Sequence, residues 1–384
     1  MTNNKDKKVL NVPNLRFPEF TGEWKKERLD EIAELSKGVG ISKEQLSSNG
    51  NPCILYGELY TKYKSEIISE VISKTNIEKN NLKHSKQNDV IIPCSGETAV
   101  DIAVARCVPF DNILLGGDLN IIRLHKYDGA FMAYQLNSKR KIEIAKLAQG
   151  VSVVHLYGEN LKSINTYNPS LQEQQKIVRL LSLLDERIKV QNKIIEDLKK
   201  LKSAISERFF TSINGDVVTL ADICDIVKGK QVNGEFLTDS GNYYVMNGGI
   251  EPSGYYDDYN TEANTISISE GGNSCGYVQF NTTPFWSGGH CYTIQNITNN
   301  VEKLYLYHYL KCNEDTIMKL RIGSGLPNIQ KKDLAKFRVI VPIIEQQKTI
   351  SAFLSLLERK VQVETDILIA VQSEKQYLLR QMFI

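Results

Sequence analysis

The chain contains itself twice, and no other feature limits its fold as strongly. The segment LSLLDERIKV, Leu181–Val190, returns as LSLLERKVQV, Leu354–Val363, at a shift of 173. At the same shift Pro169 meets Pro342, Ile205 meets Leu378 and Phe210 meets Phe383. The run EQQK recurs from Glu173–Lys176 to Glu345–Lys348 at a shift of 172, which reads as one residue gained between Lys348 and Leu354. Upstream the match is fainter. Gly150 aligns with Gly323, Leu161 with Leu334, and Gly116-Gly117 with Gly288-Gly289. ERLDEIAELSKG (Glu27–Gly38) resembles VTLADICDIVKG (Val218–Gly229). A period this long is not a solenoid unit. The chain is a globular part followed by a shared segment of about 40 residues, made twice.

The shared segments carry a heptad seam. In the first copy it runs Ile177, Leu181, Leu184, Ile188, Gln191, Ile195, Leu198, Lys202, Ile205, Phe209, in alternating steps of four and three. In the second it runs Ile350, Leu354, Leu357, Val361, Glu364, Leu368, Val371, Lys375, Leu378, Met382. That spacing predicts a coiled coil. Polar residues breach both seams at the same places, Gln191 with Glu364 and Lys202 with Lys375, and polar seam positions fix register at a cost in stability. A helix of this length, about 60 Å at 1.5 Å per residue, needs cover for its apolar seam. The two helices are therefore expected to pair, rather than each packing only on its own globular part. Two similar halves associate about a two-fold axis, which sets the helices antiparallel. Ser170 and Glu173 read as a capping box, lost in the second copy where Ile343 replaces Ser170. The end of the chain is expected near residue 20.

The globular parts contain short strand-like runs between Gly, Asn and Pro. In the first these are CILYGEL, DVIIPCSG, DIAVARCV and LNIIRLH. In the second they are NYYVMNGGI, NTISISEGG, CGYVQF and CYTIQ. Each part has one predicted helix, Ala130–Leu147 and Val301–Leu320. The fold class is α+β: two mixed α/β domains separated by two long paired helices, pseudo-two-fold symmetric. The boundaries fall at 1–167, 168–210, 211–340 and 341–384.

Composition closes off several classes. With 41% hydrophobic and 24% charged residues, the chain is not disordered or collagen-like. A net charge of +2 excludes DNA binding by charge alone. Seven cysteines without a CxxC pair argue against a disulfide framework or zinc knuckle and for a reducing compartment. The polar N-terminal stretch Met1–Phe20 reads as no signal peptide, and the apolar run Val339–Ile344 is too short for a bilayer, so a soluble cytoplasmic protein is expected. There is no HExxH or GxxxxGK[ST], and no GxSxG is read as a nucleophile elbow. Asn168-Pro-Ser-Leu is not a methyltransferase-type NPPY. His290, Cys291 and Cys275 read as core strand residues, not metal ligands. The sequence points to a binding protein rather than an enzyme, and an unrecognised site around Cys94 and Glu97 is the enzymatic alternative.

Loops rich in polar and aromatic groups supply the candidate contacts, since such groups hydrogen-bond base edges and phosphates. In the first part these are Lys37, Lys43, Tyr56, Glu58, Tyr60, Lys62, Tyr63, Ser95, Glu97 and Thr98. In the second they are Lys228, Lys230, Gln231, Asn233, Asn247, Ser253, Tyr255, Glu270, Asn273 and Trp286.

The whole organisation resembles the specificity subunit of type I restriction-modification systems. The resemblance rests on LRFPEFTGEW (Leu15–Trp24) with the following LxxIAEL…KG, on the PxxxEQQKIVRLLSLLDERI run, and on the second PxxEQQ…LSLLERK run. It covers nearly the whole chain, and its repetition is the specific signal. It implies that each globular part is a target recognition domain reading half of a bipartite double-stranded DNA sequence. It implies that the helices set the spacing and hold two methyltransferase subunits, joined by restriction and translocase subunits. S-adenosylmethionine, ATP and Mg would sit on those partners, and this chain would carry no cofactor, metal or catalytic residue. The competing reading is a non-enzymatic coiled-coil scaffold displaying two protein-binding domains.

Overall fold

The computed structural model describes residues 10–77, 82–323, 325 and 327–384. Residues 1–9, part of the stretch read as carrying no leader, lie outside them. The chain divides into two compact units, residues 1–192 with 367–384, and residues 193–366.

The two units share one frame. In the first, a four-stranded antiparallel sheet has the order Ala33–Lys37, Leu119–Leu124, Asp89–Pro93, Arg106–Val108. In the second the order is Asp225–Lys228, Cys291–Gln295, Thr265–Ser269, Val278–Asn281. A second sheet places Asn51–Ile54 parallel to Leu114–Leu115, and in the other unit Tyr243–Met246 parallel to Trp286–Ser287. The first unit adds strands Leu46–Ser47, Ser73–Thr75 and Lys83–His84 to this sheet, which is where its extra length goes.

The strand Asp89–Pro93 shows why the sequence reads as a continuous apolar run. Val90 and Ile92 face one core, with Ile122, Met132 and Leu136, while Ile91 faces another, with Leu119 and Ile121. Alternate residues serve opposite faces of a sheet buried on both. In the second unit Ile266 and Ile268 enter the main core, but the opposite face is polar, with Ser267 accepting from Asn281 Nδ2 at 2.9 Å.

The repeated Lys-Gly and Gly-Gly pairs have a shared physical cause. A Cβ on Gly38 would lie 2.0 Å from the carbonyl oxygen of Gly116, and one on Gly229 would lie 2.2 Å from that of Gly288. The strand end and the loop touch backbone to backbone in both copies, which only glycine permits.

The predicted helices Ala130–Leu147 and Val301–Leu320 are each broken. The first is Gly129–Asn137 then Lys141–Lys146, and the second is Lys303–Cys312 then Glu314–Met318. Asn313 folds its amide back onto the carbonyl of Tyr309 at 2.9 Å, capping one helix where the next begins. Several predicted strands are also shorter than read. Glu58–Thr61 and Ala99–Ile102 are single helical turns, and CGYVQF forms a strand only over Val278–Asn281.

The long helices span Leu171–Ser212 and Ile344–Gln381. Within the first unit Ile177 and Leu181 share a core with Leu379, Met382 and Phe383, and Asp185 meets Lys375. Within the second, Phe209 meets Phe353 edge-to-face at 5.9 Å, and Lys202 meets Glu358. In each unit one helix rises as the other descends, so they pair antiparallel. Every seam position is buried or half-buried. The seam ends do a second job: Ile177 and Leu181 pack on Trp24, Phe131 and Tyr134, and Ile350 and Leu354 join the core of the second globular part. The last residues lie against residues 14–24, with the Leu15 N–H on the Gln381 carbonyl at 2.9 Å and Phe383 edge-on to Trp24.

The first turns of the helices correct two expectations. Gln174 donates to the Pro169 carbonyl at 2.9 Å and accepts from the Asp128 N–H at 2.9 Å. Gln347 donates to the Pro342 carbonyl at 2.7 Å and accepts from the Glu302 N–H at 2.8 Å. Gln174 and Gln347 are 173 apart, like Ile177 and Ile350, so no residue is gained between Lys348 and Leu354. The identical EQQK letters are offset by one from the structural register. The capping box is half formed. Ser170 Oγ accepts from the Glu173 N–H at 3.3 Å, but the Glu173 carboxylate is taken by Arg16 and by Trp24 Nε1.

Candidate nucleic-acid interface

At the end of each four-stranded sheet, where the Lys-Gly strand meets the Gly-Gly loop, the structure gathers a polar mouth. In the second unit it is a cleft of about 650 Å3. The expected residues Lys228, Asn247, Ser253, Glu270 and Asn273 line it together with His290 and Asn328. Lys228 Nζ lies 2.6 Å from one Glu270 oxygen, which also accepts from the Tyr292 hydroxyl at 3.0 Å. The other Glu270 oxygen is buried and makes no hydrogen bond among the described residues. His290 Nδ1 stands 3.7 Å from it, and the His290 N–H donates to Asn247 Oδ1 at 3.0 Å. The wall thus offers an ammonium, an imidazole, carboxamides and one uncommitted carboxylate oxygen.

The remaining expected residues of this unit form a flank. Trp286 Nε1 donates to the Lys230 carbonyl at 2.7 Å, and its ring meets Tyr256 edge-on at 5.1 Å. Asn233 caps the turn Gly234–Phe236, and Gln231 is exposed beside it. Tyr255 belongs to the strand pair with Tyr244.

In the first unit Lys37 Nζ lies 3.1 Å from Asp118, which also receives Ser95 Oγ at 3.4 Å. That hydrogen bond to Asp118 holds the Lys37 ammonium above its ordinary pKa, against a smaller opposing effect of burial. Tyr56, Tyr60 and Glu97 gather nearby, and burial followed by the fields of Tyr56 and Glu97 pushes the Tyr60 phenol up. Lys43 is exposed on a 3-10 turn. Thr98 caps the turn Ala99–Ile102 through the Asp101 N–H at 3.1 Å.

Besides Glu270 at the second mouth, three expected surface residues of the first unit are interior. Glu58 accepts from the Leu55 N–H at 2.9 Å and from Lys62 at 2.6 Å, so this pair holds a turn together. Tyr63 is buried, and its oxygen accepts from the Ile72 N–H at 3.2 Å. Ser95 is buried in a short strand pair with His155. Asp118 and His290, absent from the expected contacts, each follow the Gly-Gly pair directly, a signal the repeat already held.

Cys94, the candidate nucleophile of the enzymatic alternative, is buried. Burial pushes the Cys94 thiol up to about 12, away from the thiolate form that nucleophilic chemistry requires. Among the described residues there is no cluster of His, Cys, Asp or Glu suited to a metal, and no helix long and apolar enough to cross a membrane.

The polar seam residues have duplicated partners. Tyr134 donates to Asp185 at 2.5 Å, and Asp185 meets Lys375 at 2.6 Å. At the shift of 173 in each member, Tyr307 donates to Glu358 at 3.1 Å, and Glu358 meets Lys202. Each set ties the domain helix to both long helices. The first is deeper: the Lys375 side chain is 10% exposed and also reaches Glu66 at 2.6 Å. In the second, His308 is buried beside Ser355 Oγ at 2.9 Å, where the first has Gln135.

Two copies of one α+β frame, each with a polar mouth and each locked to a helix pair, define a two-headed recognition protein. The sequence matches the family described as Type I restriction modification DNA specificity domain over residues 21–200 and again over residues 214–373, and the chain belongs to that family. It is a specificity chain, which selects DNA rather than transforming it. A putative type I specificity subunit of Mycoplasma genitalium is 22% identical over 379 residues, 94% of each chain. One from Mycoplasma pneumoniae is 32% identical over 154 residues, 40% of this chain and 41% of that one. Among solved structures, the type I restriction-modification S subunit from M. genitalium superposes with a TM-score of 0.69 at 22% identity, covering 97% of this chain and 99% of that one. A chain from a structural study of assembly and conformational transition of the type I R-M system gives 0.57 at 18%, covering 94% and 97%.

Proposed function

We propose that each globular part reads one half of a bipartite double-stranded DNA target, the first through residues within 1–167 and the second within 211–340. The helices 168–210 and 341–384 hold two methyltransferase subunits, and restriction and translocase subunits join that core. S-adenosylmethionine, ATP and Mg serve those partners, in the cytoplasm. The observation that carries this reading is the pair of mouths: one backbone frame presents Lys37 and Asp118 in one copy and Lys228, Glu270 and His290 in the other. Different donors and acceptors on equal scaffolds suit two different short base sequences. Partner subunits sharing the DNA account for the low net charge. Residues 211–337 are to be replaced by the equivalent part of a relative, and the methylated sites of a host strain mapped. One half of the motif should change, with the other half and the spacer kept. If both halves change, or an active complex keeps the motif whole, independent reading is wrong.

A further inference from the structure

The backbones of the two mouths are bonded alike, which shows which side chains stand in for one another. The Gly38 N–H donates to the Leu119 carbonyl and the Gly229 N–H to the Cys291 carbonyl, both at 2.9 Å, so Lys37 and Lys228 are equivalent. The Cys94 N–H donates to the Asp118 carbonyl at 2.7 Å, and the Glu270 N–H to the His290 carbonyl at 2.9 Å. The Leu156 N–H donates to the Cys94 carbonyl at 2.7 Å, and the Ile329 N–H to the Glu270 carbonyl at 2.8 Å. Cys94 therefore matches Glu270, and Asp118 matches His290. Each lysine keeps a carboxylate, but takes it from the other position. In the first mouth it is Asp118, whose side chain is 47% exposed. In the second it is Glu270, whose side chain is 11% exposed while that of Lys228 is 52% exposed. The second mouth thus turns a donor to solvent and keeps its counter-charge inside.

We propose that Lys228 reads the major-groove edge of one guanine in the half-site of the second globular part, with Glu270 as the residue that positions it. The inference rests on the reading that this part contacts DNA. Charge argues against a phosphate as the ligand of Lys228. A phosphate reaching this ammonium would also approach the Glu270 carboxylate 2.6 Å from it, and like charges repel. A base edge carries no net charge and meets no such opposition. A count of protons then selects the base. An ammonium has three N–H donors, and one is given to Glu270 Oε1. Guanine presents two adjacent acceptors, N7 and O6, for the two that remain. Adenine sets its N6 amino group, itself a donor, beside N7; thymine has one acceptor next to a methyl group; cytosine presents a donor. Glu270 is held for this task by the Tyr292 hydroxyl, which donates to the same oxygen at 3.0 Å, and by the backbone bonds to His290 and Ile329.

Binding is to be measured for the full chain assembled with its methyltransferase partners, on duplexes carrying its mapped methylation motif. Each guanine of the second half-site, on either strand, is replaced in turn by 7-deazaguanine, which lacks the N7 acceptor. One replacement should weaken binding by about fivefold or more, and that loss should fall below about twofold in Lys228→Ala. Lys228→Ala should leave the slope of log affinity against log salt unchanged, whereas losing a phosphate contact would flatten it by about 0.9. Glu270→Gln releases the ammonium from its carboxylate. The guanine effect should then shrink and the salt slope steepen by up to about 0.9 as Lys228 turns to a phosphate, a change that lost packing alone would not produce. A second half-site with no guanine on either strand, tolerance of every 7-deazaguanine, a penalty that survives Lys228→Ala, or a flattened salt slope in that variant overturns the proposal. Unaltered guanine sensitivity and salt slope in Glu270→Gln overturn the positioning role. The DNA-reading function is judged separately, by whether the wild-type complex rejects altered base pairs in that half-site; it can hold while Lys228 reads no guanine.

Discussion

The two globular units repeat the same close backbone contact at their sheet ends, while the side chains at the mouths differ. Gly38 and Gly229 press on the Gly116 and Gly288 carbonyls by the same contact, and Gln174 and Gln347 clasp equivalent atoms. One residue beyond the Gly-Gly pair, that constraint ends. Asp118 offers a carboxylate where His290 offers an imidazole, and Lys37 pairs with Asp118 while Lys228 pairs with Glu270. The comparison separates what the frame requires from what recognition is free to vary.

The sharpest way to break the equivalence of the copies is at their two seam lysines. Lys375 lies between Glu66 and Asp185, so Lys375→Ala leaves buried carboxylates without their cation and should cost about 3–5 kcal/mol. Lys202 has one, more exposed partner, and Lys202→Ala should cost about 1 kcal/mol or less. Chemical denaturation of both variants gives the two numbers directly. Equal losses would show that the sets are energetically alike despite their different depth.

Acid offers a second contrast. Burial pushes His308 down to about 4, with Glu358 opposing weakly. The unfolded chain takes up this proton near pH 6.5 and the folded one resists it until about 4, so stability is full above 6.5 and falls as pH drops through that window. At 1.36 kcal/mol per pKa unit the loss approaches about 3 kcal/mol. The first unit holds Gln135 at this position and has no such proton. His308→Gln should flatten the contribution in denaturation curves between pH 6.5 and 4; an unchanged slope would mean His308 is not the group responsible.

The mouths are expected to change discrimination rather than stability. Glu270→Gln should alter base preference in one half of the target and Asp118→Asn in the other, each by about 1–3 kcal/mol of discrimination. Mapped methylation sites in strains carrying each variant would show which half relaxes. Any substitution that relaxed both halves would contradict the separation of the two readers.

Much of this architecture is legible from periodicity. The heptad spacing locates the helices and their pairing because a seam must repeat to stay covered. Short identities mislead where geometry matters more than letters. EQQK aligns its own characters, whereas Gln174 and Gln347 align by the carbonyls of Pro169 and Pro342 that they reach. Glu173 fits a capping box in the sequence, yet Arg16, 157 residues away, claims its carboxylate. Such distant pairings leave no local trace. Glu58 and Tyr63 look like surface chemistry because polar letters do not reveal that a turn folds them inward. His290 and Asp118 escape for a simpler reason: loops taken singly hide them, and only the repeat carried through those loops brings both forward.

The glutamine clasp has a mechanical consequence. One carboxamide joins the proline carbonyl at the head of a long helix to the first N–H groups of the domain's own helix, in both copies. Rotating a globular part about its long helix would break the hydrogen bonds of that amide. Torque on a globular part should therefore reach the long helix through these bonds rather than being absorbed at Pro169 or Pro342.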